Sequence, residues 1–538
     1  MKRIQGKIAD PIKRKIFNGE IVFENGKIKE INRVDKVPNR YILPGMVDAH
    51  IHIESSMLIP SEFAKLAVRH GTVATVSDPH EIANVCGKEG VEYMIENGKK
   101  VPLKFYFGAP SCVPATPFET AGAVLDVNDV TELLQRDEIH YLAEMMNWPG
   151  VLNDDPDVLA KIRAAQKLGK PVDGHAPGLK GERAKKYASA GISTDHESFT
   201  RQEALDKLEA GMLIAIREGS AAKNYDELID LLKDYPGKMM FCSDDKHPDD
   251  LIRGHINKIV SRTLAKGFDL FDVLHAASVL PVQHYKLNVG LLQPGDPADF
   301  IVVDAPEAMN VLETWIDGEP VFKDGRVHIG EIDSTRINNF TPYEVLPGDF
   351  KLKSEKAGQH IIVAHDGELI TGSEVGNLEV KNGEVLADPE RDILKIAVVN
   401  RYEKQPPAVG FIKNFGLKNG AIASSVGHDS HNIIVIGTTD KYLSRAVNLI
   451  MEHEGGISAV HGDKEDVLGL PVGGIMSDDS GEIVAAGYER LSNTSREMGS
   501  TLKAPFMLIS FMALLVIPSL KMSDKGLFDG EIFEFIEQ

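Results

Sequence analysis

Two histidines near the start of the chain are spaced so that a single metal ion could bind both. His50 and His52 belong to the run DAHIH at residues 48–52, which follows a Pro-Gly turn at 44–45 and ends an apolar stretch. Side chains at positions i and i+2 of a β-strand share one face of the sheet, so both imidazoles can reach the same ion. An H-x-H pair is also compatible with chance or core packing, and the context must decide. A metal-dependent enzyme is the first hypothesis.

The elements that would position these histidines are short apolar runs that alternate with amphipathic stretches. Apolar residues at three- and four-residue spacing predict helices at 61–70, 156–168 and 225–234. Alternating strands and helices are typical of βα units around a parallel sheet. The predicted strands are 45–52, 72–77, 103–108, 139–145, 171–175, 192–196, 212–216 and 238–243. Eight such units predict a TIM (β/α)8 barrel.

Two further regions flank the predicted barrel. Turn dipeptides among short alternating runs in residues 1–44 and again in 286–340 predict two parts of one composite β-sandwich domain. The barrel occupies 45–285 between them. Residues 341–538 read as a C-terminal α/β domain, with strands at 361–364, 396–399 and 433–437 and a helix at 440–454. The chain is therefore predicted to be an α/β protein of these three parts.

Ionisable residues stand at the ends of the predicted barrel strands, which is where a TIM barrel carries its catalytic groups. They are His50, His52, Glu144, His175, His196 and Asp244. Each of these residue types binds metal when deprotonated. Four imidazoles and two carboxylates exceed the needs of one tetrahedral ion, whereas two ions sharing a carboxylate and a hydroxide would use all six. The sequence thus predicts a binuclear site, with Glu144 as its bridging ligand.

A pair of divalent ions would lower the pKa of a bound water toward neutrality and so produce a hydroxide nucleophile. Asp244 could bind metal and also accept the proton from that water. Because the ligand set mixes imidazole and carboxylate without thiolate, we expect Mn²⁺ or Fe²⁺, with Zn²⁺ as an alternative.

The charge of the chain argues against nucleic acid as a partner. The formal net charge is -21, and no run of consecutive Lys or Arg supplies a basic patch. Three cysteines, Cys86, Cys112 and Cys242, are widely separated and fit neither a disulfide framework nor a four-thiolate zinc site. This usage indicates a reducing compartment.

Nothing in the sequence predicts a membrane segment. The first residues lack the apolar core and cleavage site of a secretory signal. The apolar stretch 504–520 contains two prolines and is shorter than the roughly 20 residues that cross a bilayer, so we predict a buried core helix or strand. We expect a cytoplasmic protein without a membrane partner.

Several motifs resemble the amidohydrolase superfamily, and within it the family of bacterial and archaeal adenine deaminases. They are LPGMVDAHIH at 43–52, HIESS at 52–56, SDPHEIANV at 77–85, HAPG at 175–178, TDHES at 194–198, CSDD at 242–245 and GDPADFIVVD at 295–304. The resemblance covers the whole chain. It implies that a hydroxide on the metal attacks C6 of adenine and that the tetrahedral intermediate collapses to hypoxanthine and ammonia, a step of purine salvage.

This reaction requires a proton donor and contacts to the purine. Glu81 is the candidate acid and shuttle, because a carboxyl group in a dry pocket can keep its proton near neutral pH. The candidate substrate contacts, each of which could instead cap a helix or lie in a solvated loop, are Glu54, Ser55, Arg217, Glu218 and His428. We also expect a homo-oligomer that acts on the small molecule adenine.

Two departures from related designs narrow the interpretation. The fourth predicted strand carries Glu144 and no lysine, which argues against a dihydroorotase or hydantoinase with a carboxylated lysine. No C-x-x-C exists, which excludes the other zinc base-deaminase architecture. Two alternatives stay open: an amidohydrolase for another cyclic amide, amidine or purine, and a binding protein built on a barrel without catalysis.

Overall fold

The chain begins with a small antiparallel β unit. The computed structural model describes residues 1–537. The first strands are β1 (Lys2–Asp10), β2 (Lys15–Glu24), β3 (Lys27–Arg33) and β4 (Tyr41–Pro44). Asn25 and Gly26 both have positive φ and make the two-residue turn between β2 and β3, so the Asn-Gly dipeptide acts as the predicted hairpin. β4 then runs parallel to β1 and leads into the barrel.

Parallel strands form the barrel. They are β5 (Met46–His52), β6 (Thr72–Ser77), β7 (Lys104–Ala109), β8 (Ile139–Met145), β9 (Val172–Gly174), β10 (Thr194–Asp195), β11 (Leu213–Arg217), β12 (Met239–Cys242) and β13 (Asp244–Asp245). One hydrogen-bonded sheet follows the order β13-β5-β6-β7-β8-β9 and another the order β10-β11-β12. The Ser193 amide donates to the Val172 carbonyl at 2.8 Å and joins the two sheets. The predicted TIM barrel is therefore confirmed.

Helices cover the outer face of the barrel strands, and the packed interior of the barrel covers the inner face. Each residue of β6 is therefore buried. The helices are α1 (Pro60–Ala67), α2 (His80–Gly98), α3 (Val127–Gln135), α4 (Trp148–Leu152), α5 (Pro156–Lys167), α6 (Gly181–Ser189), α7 (Arg201–Glu209), α8 (Tyr225–Leu228), α9 (Leu231–Asp234), α10 (Pro248–Arg253), α11 (Ile256–Ala265), α12 (Leu270–Leu274) and α13 (Leu280–Tyr285). The helix expected at 225–234 is divided into α8 and α9 by a turn.

The segment after the barrel returns to the first β unit. Its strands are β14 (Phe300–Val303), β15 (Val311–Ile316), β16 (Glu319–Lys323) and β17 (Arg326–Val327). β14 pairs antiparallel with β4, which makes one continuous sheet in the order β17-β16-β15-β14-β4-β1-β2-β3. Phe23, Phe300 and Trp315 pack edge to face and stacked in its core. The two expected halves of the composite β domain thus share a single hydrogen-bonded sheet.

Up to residue 537, the C-terminal region contains three further sheets, of which the central one has eight strands. Its strands are β18 (Leu352–Lys353), β19 (Gly358–Val363), β20 (Gly372–Asn377), β21 (Val380–Lys381), β22 (Glu384–Val385), β23 (Ile393–Val399), β24 (Ala408–Lys413), β25 (Ala421–Ser424), β26 (Ile433–Gly437), β27 (Gly456–His461), β28 (Lys464–Gly469), β29 (Leu520–Ser523), β30 (Gly526–Asp529) and β31 (Glu534–Phe535). The central order is β20-β19-β24-β23-β26-β25-β27-β28. Its helices are α14 (Asp440–Glu452), α15 (Gly481–Glu497) and α16 (Pro505–Ser510).

Two parts of the C-terminal region lie against the barrel mouth. The loop between β25 and β26 carries residues 425–432, and α16 continues into a 3-10 turn at Phe511–Ala513. The apolar stretch that contains α16 is largely buried, as expected for a core element. Along residues 1–537 no helix combines the length and apolarity needed to cross a bilayer.

Candidate active site

The H-x-H pair lies at the carboxyl end of β5 and faces into the barrel. The Nε2 atoms of His50 and His52 are 3.2 Å apart. Both point at Oδ1 of Asp244, at 3.3 Å and 3.0 Å, respectively. The alternation of side chains along β5 puts both rings on one face, and the parallel pairing of β13 with β5 brings Asp244 beside them.

Glu144, at the end of β8, is at the centre of the cluster. Its Oε2 lies 2.8 Å from Nδ1 of His175 and 3.0 Å from Nε2 of His196. Its Oε1 lies 3.4 Å from Nε2 of His52. The six side chains singled out in the sequence therefore converge around one carboxylate.

The chemistry of this cluster fits divalent ions. Ligand atoms of His50, His196 and Asp244 lie within 4.8 Å of one another, as do those of Glu144, His175 and His196. Among residues 1–537, His175 Nε2 is buried without a hydrogen-bond partner. Several imidazole nitrogens directed at one another around buried carboxylates leave lone pairs that a cation would satisfy.

The electrostatics of the cluster keep its carboxylates ionised. Burial raises the pKa of Glu144. The charge and hydrogen bond of His175, together with the hydrogen bonds of His196 and His52, outweigh burial and hold that pKa well below 4.5. Burial likewise opposes ionisation of Asp244, and the Arg217 guanidinium and both histidines of β5 hold its pKa well below 3.8. Burial lowers the pKa of His175, yet Glu144 raises it to about 9. Both carboxylates are thus available as anionic ligands.

The backbone of Asp244 is held from behind. Its φ is +51°, in the left-handed region. Asp48 accepts hydrogen bonds from the Ser243 amide at 2.9 Å and from the Ser243 hydroxyl. His255 Nε2 lies 2.8 Å from Asp48 Oδ2, and its Nδ1 lies 2.6 Å from Thr72 Oγ1. This buried chain fixes the residue before Asp244 and so directs its carboxylate into the site.

Arg217 contacts acidic side chains rather than open space. Its Nη1 contacts Glu197 and Asp244, and its Nη2 lies 3.0 Å from Asp245 Oδ2. The guanidinium also lines the cavity. Its main role in this geometry is to compensate buried carboxylates, including that of Asp244.

Three expected substrate contacts are directed away from the cavity. Glu54 accepts the Ile82 amide at 3.2 Å, and burial raises its pKa to about 7. Ser55 donates to Asp245 Oδ1 at 2.6 Å. Glu218 pairs with Arg262 at 3.3 Å. None of the three lines the cavity that is formed by the described residues, because their loops turn these side chains toward neighbouring protein groups.

Sequence reasoning missed a second group of ionisable residues after β6. His80 Nδ1 lies 3.1 Å from Asp78 Oδ2 and 3.5 Å from Glu144 Oε1. With His52 and Glu144 they form a further set of ligand atoms within 4.8 Å. The motif SDPHE at 77–81 contained the signal, but Glu81 alone was selected from it.

Glu81 lies in the cavity wall, where the charges around it oppose the expected protonation. Burial raises its pKa, as expected, but the charges of His428, His80 and His431 outweigh burial and hold that pKa well below 4.5. Its Oε1 contacts His428 Nδ1, and its Oε2 lies 2.6 Å from His431 Nε2. The sequence analysis proposed His428 as a substrate contact, but the pairing of His428 and His431 with Glu81 could not be predicted from the local sequence.

The cavity between the barrel and the C-terminal region spans about 320 Å³, part of which is open to solvent. Its floor is the His and carboxylate cluster. Its roof comes from Leu369, Phe511 and Leu514, and His428 and Asp429 complete one wall. A planar apolar molecule with polar edges suits a site that is apolar above and ionic below.

Comparisons with known proteins agree with this arrangement. The model of the Amidohydrolase family matches residues 41–321, and the model described as Adenine deaminase C-terminal domain matches residues 368–534. The first covers the barrel and the return of the chain to the β domain.

Whole-chain relatives are similarly named. An adenine deaminase from Salinibacter ruber is 55% identical over 99% of this chain and 98% of its own length. An adenine deaminase from Methanosarcina barkeri is 53% identical over 100% of this chain and 99% of its own.

A solved structure of 5-methylcytosine deaminase from Klebsiella pneumoniae has a TM-score of 0.44 at 14% identity, covering 61% of this chain and 99% of that one.

Proposed function

The chain belongs to the adenine deaminases of the amidohydrolase family, and from this membership we propose that it hydrolyses adenine to hypoxanthine and ammonia in purine salvage, using two divalent ions. The observation that carries the proposal is the convergence of four imidazoles and two carboxylates at the floor of the cavity between the barrel and the C-terminal region. This ligand set matches the needs of two ions that share one carboxylate.

His50, His52, His175, His196 and Asp244 would hold the ions, and Glu144 would bridge them. When bound, the ions lower the pKa of water and so supply a nucleophile at neutral pH. Imidazole with carboxylate and no thiolate favours Mn²⁺ or Fe²⁺, with Zn²⁺ as an alternative.

The protein's own groups orient the purine and move its protons. Asp244 accepts a proton from the attacking water, because its carboxylate is ionised and lines the cavity. Glu81 belongs to the path that returns protons to the ring and to the leaving nitrogen. Of the expected purine contacts, His428 and Arg217 line the cavity and remain in the proposal. The main role of Arg217 is to compensate the charge of Asp244. The roof around Phe511 covers the purine.

Further parts of the proposal concern the setting of the enzyme. We propose a cytoplasmic homo-oligomer that acts on a free base and has no nucleic-acid partner. The net charge of -21 supports the last point, since it would repel a phosphate backbone.

The test combines metal analysis with an absorbance assay of adenine conversion to hypoxanthine. Protein loaded with Mn²⁺ or Fe²⁺ should contain two metal equivalents and release ammonia from adenine. His50→Ala and Asp244→Asn should abolish turnover and remain folded, while His328→Ala, at an exposed position, should match the wild type.

A panel of other purines, cytosine and hydantoins separates the alternatives. Preference for another cyclic substrate would replace adenine in the proposal. Absence of bound metal together with absence of turnover would favour a binding protein and overturn the proposed reaction.

A further inference from the structure

The C-terminal region supplies the partners of Glu81, the carboxylate that the sequence predicts as the acid and proton shuttle. His428 and His431 lie in the loop between β25 and β26, and both contact Glu81 at the start of α2. His428 Nδ1 contacts Oε1, and His431 Nε2 lies 2.6 Å from Oε2. Because each oxygen of Glu81 is already engaged by an imidazole, another group must present a proton to the substrate.

The tautomer of His431 follows from its second nitrogen. The Gly427 amide donates to His431 Nδ1 at 3.2 Å, so Nδ1 is the acceptor. The ring proton is therefore on Nε2 and is donated to Glu81. His431 thus holds Glu81 in place and does not itself face the cavity.

His428 is oriented differently. Its Nδ1 faces Glu81, and its Nε2 is buried without a hydrogen-bond partner among residues 1–537. The ring stacks on Phe511 with centroids 5.0 Å apart, and its backbone amide donates to the Ser510 carbonyl at 3.0 Å. The side chain lines the cavity. The ring is therefore held with one nitrogen on Glu81 and the other toward the substrate space.

We propose that His428 is a catalytic residue that donates the proton to the leaving amine, and that Glu81 and His431 are its positioning residues. The inference rests on the proposed function and deepens it. Nε2 is the free end of a Glu81–His428 pair, an arrangement in which a carboxylate orients an imidazole for acid catalysis. On this assignment the C-terminal region supplies part of the catalytic machinery.

One turnover uses both protons of the attacking water. Water adds its oxygen to C6, and its two protons end on nitrogen, one on the purine ring and one on ammonia. His428 Nε2–H gives its proton to the exocyclic nitrogen as the C6–N bond breaks and the electron pair leaves with ammonia. The neutral imidazole of His428 then takes up the water proton that Asp244 accepted. The Glu81–His428 pair thereby returns to its starting state.

The experiment compares two purines that differ in the leaving group. Chloride leaves without a proton, so 6-chloropurine should not need the donor. His428→Ala should lower kcat for adenine by about 10²- to 10⁴-fold, the usual contribution of a positioned acid, with its two metal equivalents retained. Its hydrolysis of 6-chloropurine should fall less than tenfold, and added imidazole should restore part of the adenine activity. His365→Ala, at an exposed position of the same region, is the matched control.

The positioning residues give a second readout. His431→Asn and Glu81→Gln should show the same selective loss on adenine, and Glu81→Gln combined with His428→Ala should be no worse than His428→Ala alone. Equal losses on both purines, or an adenine kcat within tenfold of the wild type in His428→Ala, would overturn the assignment. If the wild type itself fails to deaminate adenine, the proposed function is what fails.

Discussion

At the scale of single residues, Asp244 is held from two sides by groups with different tasks. Arg217 neutralises it from within the cavity wall, and Asp48 fixes the preceding residue, Ser243, from behind the barrel. The first contact is electrostatic, whereas the second sets the direction of the backbone. The two can therefore be separated by mutation.

We predict that Arg217→Leu strongly destabilises the metal-free protein. The change leaves the buried carboxylates of Glu197, Asp244 and Asp245 without their shared cation, and breaking a buried ion pair costs about 3–5 kcal/mol. Urea denaturation followed by circular dichroism measures the loss. Arg253→Leu removes exposed ion pairs and should cost about 1 kcal/mol or less. Similar losses in both variants would contradict this account.

We predict that Asp48→Asn weakens metal binding without removing a ligand. Asn cannot accept both the Ser243 amide and hydroxyl while also pairing with His255, so Asp244 loses its fixed direction. Loss of such outer partners lowers metal affinity about 10- to 100-fold. Dialysis against buffered free Mn²⁺, followed by metal analysis, gives the affinity. Asp304→Asn, at an exposed position, is the control and should bind as the wild type does.

At the scale of elements, the barrel end shows what local sequence can and cannot predict. The apolar runs located β5, β6 and β8 within one residue of their bounds, because buried parallel strands are nearly continuous in hydrophobicity. The last strand was predicted as 238–243 but is interrupted at Ser243, and Asp244 belongs to β13 instead of following a strand. That interruption depends on Asp48, which is distant in sequence. The pairing of His428 and His431 with Glu81 was similarly beyond local reasoning, since a different domain brings these histidines to Glu81.

The roof of the cavity contains a buried lysine with no carboxylate partner in its hydrogen bonds. Lys521, on β29, donates to the Leu369 carbonyl at 2.6 Å and to the Phe511 carbonyl at 3.0 Å. Both acceptors belong to residues that line the cavity. Burial lowers the pKa of Lys521 to about 7. The Lys521 amine thus links two segments of the roof by hydrogen bonds. Its protonation state changes near neutral pH.

We predict that this lysine gives the protein a specific stability profile. Its folded pKa of about 7 lies below the ordinary value of 10.5, so between these pH values the unfolded chain binds more protons. Stability relative to Lys521→Met should therefore rise with pH across this window, by at most about 1.4 kcal/mol per pH unit, and be constant below it. Denaturation of both proteins at pH 6, 7, 8 and 9 measures the difference. A difference that falls with pH would contradict the burial of the ammonium.

At the scale of the whole molecule, the cluster of candidate metal ligands joins strands from around the barrel. Ions held by side chains on β5, β8 and β13 would stabilise the folded state, because the unfolded chain would bind them less well. We predict that chelation lowers the melting temperature and that Mn²⁺ restores it, with a gain of about 2.7 kcal/mol at a hundredfold excess over Kd. Scanning calorimetry with and without chelator tests this. An unchanged melting temperature would show that the cluster holds no ion.

The composite sheet has a consequence for how the protein is made. β4 emerges early from the ribosome, but its antiparallel partner β14 begins only at Phe300. Until then β4 has an unpaired backbone edge, which is a site for mispairing with other nascent strands. His428 follows later still, so a nascent chain can close its barrel well before it can become an active enzyme. We infer that this chain depends on protection of β4 during synthesis, and that ribosome-bound chains ending before residue 300 would aggregate more readily than longer ones.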